Sequence, residues 1–294
     1  MRISEALDAF AVHQRANGKS PLTISGYGSD LKPLTAFTND ADVETLTPDL
    51  LARFIASDQA RLGKDGVPKA MITLNHVKGA IRAFGRWLAL TGLLPSDPAR
   101  AVEVRRVDRK SPSSLTDAER KRMLKEVAAR KGSAAARDLV MLELFLGTGI
   151  RLAELVGLNI HDVDLDAKRL TIHAKGGRTE TRFLNARLRT ILRKYLRRRA
   201  DMASYSAALF LSNRDERITN RQVQMRFARW LAWAEITRPG LTVHSLRHTF
   251  GTRLYRKTHD LILVGKAMGH RSAEATRVYV HEDAEALEEA LEDI

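Results

Sequence analysis

The sequence predicts a mainly α-helical protein with two domains. The first is a four-helix domain, and the second is an α+β domain with a small three-stranded antiparallel sheet. Three observations predict this. Apolar residues recur at helical spacing through the first hundred residues. A charged, Ser-rich stretch without sustained periodicity separates them from a second periodic region. Within that second region, the period changes over residues 163–184 from helical to alternating. At 294 residues the chain is long for one core and comfortable for two, and 44% hydrophobic residues can fill both.

In the first domain, residues 1–98, Ser4 reads as the cap of a helix ending near Asn17-Gly18. Ser20-Pro21 opens a second helix by the cap-then-proline rule, with Tyr27, Leu31 and Leu34 as its apolar stripe. Pro33 is expected to kink that helix or mark its last turn, because proline has no N–H to donate. Thr47-Pro48 repeats the start signal. After a break at 63–68, Leu74, Val77, Ile81, Phe84 and Leu88 form a long stripe, closed by Thr91-Gly92 and by Pro95 and Pro98. Lys78, Arg82 and Arg86, four apart, give this last helix one basic face.

Residues 99–114 read as an exposed linker. Leu115-Thr116, with Glu119 three residues on, supplies a capping box behind an apolar residue, so the second domain, 115–281, begins there with a helix. Residues 139–146 form a buried helix, Gly147-Thr148-Gly149 a tight turn, and 151–158 the next helix, on which Arg151 and Glu154 stand three apart. Residues 163–165, 169–174 and 179–184 are the strands, with Gly176-Gly177 turning the second into the third. Alternation sets Leu170, Ile172 and Ala174 on one face and Thr171, His173 and Lys175 on the other, so Lys175 lies on the polar side at a hairpin tip. A basic amphipathic helix follows. It buries Leu188, Ile191, Leu192, Tyr195 and Leu196 and exposes Arg189, Arg193, Lys194, Arg197 and Arg198; a solvated face and an anion-contacting face fit it equally.

The formal charge of +14 and a pI near 10.3 favour a polyanionic partner, nucleic acid ahead of a membrane surface because nothing resembles an anchor. Residues 1–107 hold 14 Lys/Arg against 11 Asp/Glu, and 282–294 hold seven acidic residues and no basic one, so most of the excess falls between them. With no cysteine, disulfides, thiolate metal sites and Cys nucleophiles are excluded, which fits a reducing compartment. The N-terminus has no apolar signal region, and the densest apolar run, 139–146, contains Glu143 and is far too short to span a bilayer. A soluble intracellular protein is expected.

Chemistry-bearing residues concentrate in 241–281. His244 and Arg247, three apart, share a helix face on which a phosphate fits. Past Gly269-His270, Ser272 is a cap with Glu274 in the first turn, so Tyr279 is expected on a short helix about two turns on. At these residues the sequence resembles the tyrosine recombinase (phage integrase) family, whose signature runs His-x-x-Arg, Gly-His and a Tyr nine residues after that His. The resemblance extends back to Thr148-Gly149-Ile150-Arg151-Leu152-Ala153-Glu154-Leu155, which looks like the family's first arginine box, and to Lys175 in a glycine-rich turn. Five separated positions match in order. In layout the chain looks nearer to Xer-like recombinases than to long phage integrases, because it starts almost directly with the first domain.

The resemblance implies a site-specific DNA recombinase that cleaves and rejoins strands through a 3′-phosphotyrosyl intermediate, with no metal, cofactor or ATP. It makes 1–98 a helical core-binding (SAM-like) domain and 115–281 the catalytic domain, gripping opposite faces of double-stranded DNA. A phosphodiester repels nucleophiles, so metal-free cleavage demands fixed positive charge on the non-bridging oxygens as the transition state forms. Arg151 and Arg247 are assigned to that clamp, since a guanidinium offers paired donors and keeps its charge. His270 adds a donor and Glu154 orients Arg151. Tyr279 attacks phosphorus, His244 is the base and Lys175 the acid for the leaving oxygen, with Lys168 and Arg178 close by in the same hairpin. Lys69, Lys78, Arg82, Arg86, Arg189 and Arg193 are candidate DNA contacts, plain solvated surface being the alternative.

Three rivals are weighed. One reads His244 and His248, four apart, as zinc ligands of a hydrolase, but the HExxH pattern needs Glu where Ser245 stands. A type IB topoisomerase uses similar chemistry but generally has Lys or Arg at the place of His244. A DNA-binding relative without catalysis is argued against by the intact set. The acidic tail, 282–294, with Leu287 and Leu291 four apart, is expected to form an amphipathic helix. That helix either docks on a neighbouring protomer, linking a homotetramer or heterotetramer on two DNA sites, or packs on its own basic domain. The expected location is the cytoplasm, at the nucleoid.

Overall fold

A computed structural model describes the chain except residues 64, 106, 108–112, 175–176, 203, 270–275, 277–278 and 280–294, and the side chains at 133 and 174. It divides into two compact units, Met1–Arg109 and Lys110–Ile294. Among the described residues, no helix is long and apolar enough to cross a membrane.

The first unit contains α1 (Ile3–Ala16), α2 (Pro21–Phe37), α3 (Pro48–Ala56), the single turn α4 (Asp58–Arg61) and α5 (Met71–Leu90). Local capping explains two of the starts: the Ser20 hydroxyl accepts from the Thr23 N–H at 3.2 Å, and the Thr47 hydroxyl from the Leu50 N–H at 3.2 Å, each with proline next in the chain. Ser4 does not cap α1. The helix starts earlier, with Arg2 at the N-cap, and the Ser4 hydroxyl donates instead to Asp40 at 2.7 Å, tying α1 to the chain beyond α2. Pro33 lies inside α2, one turn before its end at Phe37. Phe10 lies at the centre of the core, its ring 5.5 Å from those of both Phe84 and Trp87. Leu31, Leu34, Phe54, Ile81 and Leu88 belong to the same core, buried. Ala99 is buried too, so the expected linker begins inside this core. Gly85 makes room for it, since a Cβ there would stand 2.8 Å from the Ala99 Cβ.

In the second unit, α6 (Asp117–Ala129) starts with the reciprocal box: Thr116 accepts from the Glu119 N–H at 3.2 Å and Glu119 from the Thr116 N–H at 2.8 Å. The central helix α7 (Ser133–Thr148) packs against α6, α9 (Ala186–Ala200) and α11 (Val243–Thr258). It extends through Gly147 and Thr148, so the expected tight turn shrinks to Gly149, a left-handed C-cap with φ +61°. The next helix, α8 (Leu152–Gly157), begins after Arg151, which is its N-cap rather than a member. The sheet is antiparallel in the order β1 (Val163–Asp164), β2 (Arg169–Ala174), β3 (Arg178–Phe183), with Leu170 opposite Arg182 and Ile172 opposite Glu180. Leu170 and Ile172 face the core, and His173 on the other face bonds Asp162 at 2.9 Å. On α9, Leu188, Leu192 and Tyr195 are buried and Arg193, Lys194, Arg197 and Arg198 exposed. Arg189 departs from expectation: it lies half-buried at the edge of the apolar stripe, its Nε shielded from solvent. The unit is completed by α10 (Asn220–Trp233), the two helices α11 and α12 (Leu261–Met268), and the turn at Tyr279.

Candidate active site

Three helix ends meet at one point: the C-terminus of α7, the N-terminus of α8 and the C-terminus of α12. The last carbonyls of a helix lack intrahelical partners and carry partial negative charge, which makes them ready acceptors for arginine. Arg247, from the second turn of α11, is 7% exposed and donates from Nη1 to the Gly149 carbonyl and from Nη2 to the Met268 carbonyl at 2.6 Å. Arg151 donates from Nη2 to the next carbonyl, Gly269 O, at 3.1 Å. Its Nη1 reaches Glu154 Oε1 at 2.6 Å, while the other Glu154 oxygen accepts the Arg151 N–H at 2.9 Å. Glu154 thus caps α8 and aims Arg151 with one carboxylate. Gly149 and Gly269 both have left-handed φ, +61° and +63°, and a Cβ on Gly149 would press on the Phe250 ring.

Burial, then repulsion from Arg151, pulls the Arg247 guanidinium down to about 10, with Glu154 opposing; it stays cationic at neutral pH. Burial, then the charges of Arg247 and Arg151, holds the His244 imidazole below its usual value. One turn on, burial with His244 and Arg247 pushes His248 down to about 4. Tyr279 is 2% exposed, packed with Val264 and Met268 against Gly251, where a Cβ would meet Tyr279 Cε1 at 2.6 Å. Its hydroxyl lies 3.4 Å from His248 Nδ1.

Arg151, Glu154, His244, Arg247 and Tyr279 therefore come together around α11 and the end of α12. Lys175, His270, Ser272, Glu274 and the tail 282–294 lie outside the described residues. In the first unit, Lys69 donates its ammonium to the Ala60 carbonyl at 2.8 Å, Lys78 is half-buried, and Arg82 and Arg86 are exposed. On α9, Arg193 is exposed and Arg189 half-buried. Sequence reasoning missed His248 as a neighbour of Tyr279, although its place one turn after His244 was a signal. It also missed Glu180 and Arg182 on β3, which lie against Gly269. Nothing in the alternation of β3 singles them out.

Residues 113–286 match the model of the phage integrase family. The chain is 31% identical over 286 residues to the tyrosine recombinase XerC of Pseudomonas fluorescens, covering 97% of this chain and 94% of that protein. It is 33% identical over 285 residues to XerC of Azotobacter vinelandii, covering 96% and 92%. Among solved structures it resembles the XerH site-specific recombinase bound to palindromic difH substrate in a post-cleavage complex, with TM-score 0.77, 23% identity, and 95% and 81% coverage. It also resembles a lambda integrase dimer bound to a COC′ core site, with TM-score 0.71, 18% identity, and 93% and 96% coverage. At these identities the structural likeness is one of fold.

Proposed function

Because this chain belongs to the phage integrase family and is a tyrosine site-specific recombinase, we propose that Tyr279 is its nucleophile and that Arg151 and Arg247 clamp the scissile phosphate of double-stranded DNA. What supports this reading is that the consecutive carbonyls of Met268 and Gly269 hold the two guanidiniums, while Tyr279 packs on the same Met268. Two cations pre-positioned by backbone need no reorganisation when charge develops on the non-bridging oxygens. The Tyr279 oxygen attacks phosphorus and the bond to the 5′ oxygen breaks, its electron pair leaving with that oxygen. A 3′-phosphotyrosyl link and, after protonation, a 5′-hydroxyl result. A phenol ordinarily titrates near 10, so a base is needed; His244, whose imidazole partial desolvation and then Arg247 and Arg151 hold below its usual value, takes that role. Glu154 orients Arg151, His270 adds a donor and Lys175 protonates the leaving oxygen. Because the phosphodiester energy is retained, a 5′-hydroxyl of another strand reverses the step without ATP or metal.

Tyr279 is 2% exposed, so it must move before it reaches a phosphate, and seating DNA on the clamp supplies the occasion. Residues 1–98 serve as the core-binding domain, with Lys69, Lys78, Arg82 and Arg86 toward the backbone, and 115–281 as the catalytic domain, with Arg189 and Arg193 as further contacts. The tail links protomers of a homotetramer or heterotetramer on two DNA sites, in the cytoplasm at the nucleoid. The test is to recover protein-linked DNA under denaturing conditions from host cells carrying wild type or Tyr279→Phe and to sequence it. Adducts at a defined site with wild type alone are expected; adducts persisting in Tyr279→Phe refute the nucleophile.

A further inference from the structure

Strand β3 has its faces reversed relative to polarity. Arg182 and Glu180 pair with Leu170 and Ile172, and directly opposed residues share a face of the sheet, so the charged pair looks into the core. Arg182 is 4% exposed, while its apolar neighbour Phe183 is 74% exposed. A slip of one residue would bury Phe183 and release Arg182. The observed register instead takes a guanidinium out of water, which is unfavourable unless partners compensate. Compensation is partial. Nη2 donates to Glu180 Oε2 at 2.7 Å and Nη1 to the Thr181 carbonyl at 3.4 Å, while the shielded Nε has no partner among the described residues.

The pair lies against the turn that holds the clamp. A Cβ on Gly269 would stand 2.7 Å from Arg182 Nη2 and 2.9 Å from the carboxyl carbon of Glu180. Gly269 O receives Arg151, Met268 O receives Arg247, and the Arg182 charge is felt at Arg247. We propose that Arg182, aimed by Glu180, is a positioning residue for the phosphate clamp: it fixes the Met268–Gly269 turn from the sheet side and adds a third guanidinium to the field on the scissile phosphate. Gly269 lacks a side chain so that this pair can approach.

This inference rests on the reading of Arg151 and Arg247 as the clamp. The test uses the full-length protein at saturation on nicked duplexes carrying the recovered site, with either a phosphodiester or an uncharged methylphosphonate at the scissile position, and measures covalent adduct formation in single turnover. Arg182→Met is expected to slow cleavage of the phosphodiester on the order of 10–100-fold, with DNA affinity within about twofold of wild type. Arg182→Lys should recover part of that rate. On the methylphosphonate, which has no anionic oxygen to neutralise, the defect of Arg182→Met should shrink to a few-fold. Glu180→Gln/Arg182→Met, which removes both buried charges, guards against simple destabilisation and should stay slow on the phosphodiester. Wild-type rates in Arg182→Met overturn the proposal. So does a defect that is equal on both substrates, or one cured in the double variant. If Arg151→Met also cleaves the phosphodiester normally, the clamp reading itself falls and takes this inference with it.

Discussion

His248 shows how one side chain is set by its neighbours. Its Nδ1 lies 3.4 Å from the buried Tyr279 hydroxyl, and burial, then the neighbouring His244 and the Arg247 charge, disfavour its protonated form. The folded value of about 4 lies below the ordinary 6.5, so the unfolded chain takes up this proton first as pH falls. His248 therefore contributes stability fully above about 6.5, and that contribution declines toward about 4, by on the order of 3 kcal/mol for this residue alone. Urea unfolding across this window is expected to show a shallower pH slope in His248→Gln than in wild type. An unchanged slope would assign the acid sensitivity elsewhere. Gly149 acts at the same scale: its left-handed φ and its closeness to Phe250 leave no room for a side chain while its carbonyl holds Arg247.

Between elements, α7 and α10 are joined by Asp138, which is fully buried. Its Oδ2 accepts from Arg226 Nε at 2.8 Å, from Arg226 Nη2 and from Trp230 Nε1 at 2.9 Å. A carboxylate is the side chain that satisfies three donors on one oxygen in such a place. Asp138→Ala leaves a part-buried guanidinium without its counter-ion and is expected to cost about 3–5 kcal/mol, while Asp138→Asn, which still accepts, should cost less. The measurement is the shift of urea midpoint at unchanged slope. If alanine costs no more than asparagine, the network is not what joins the two helices. Tyr195 on α9 makes a similar link within one unit: its buried hydroxyl donates to the Leu209 carbonyl at 3.0 Å, and burial pushes its pKa up to about 12.

For the whole molecule the governing quantity is charge, +14 over 294 residues. Association with duplex DNA should therefore weaken steeply with salt, the logarithm of affinity falling by roughly 0.9 for each phosphate neutralised, per logarithm of salt concentration. Arg82 and Arg86 stand exposed on one face of α5, whereas the Lys69 ammonium is engaged by the Ala60 carbonyl. Replacing both arginines with alanine is expected to reduce the salt slope by about 2, and Lys69→Ala to reduce it by less than about 1. A slope unmoved in the double arginine variant would show that this face of α5 does not meet the backbone of DNA.

The sequence by itself determined what depends on neighbours within a few residues. Ser20-Pro21, Thr47-Pro48 and the Thr116–Glu119 box cap the helices as read, because a hydroxyl or carboxylate reaches the backbone N–H groups of its own first turn. The alternation at 169–174 gave a strand, and its buried face followed from a period of two. Family membership was also legible, since the order of Arg151, His244, Arg247 and Tyr279 is written in the chain. Ser4 misled because Asp40, 36 residues away, competes for the hydroxyl that would have capped α1. Only the tertiary structure decided what holds the arginines: Arg247 bonds a carbonyl 98 residues distant and Arg151 one 118 residues distant. It likewise decided that β3 turns Arg182 inward and Phe183 outward, and that Tyr279 is stowed beside His248. Those facts arise from packing between elements, where burial and unsatisfied helix-end carbonyls choose the partners, and no local pattern encodes which distant group will arrive.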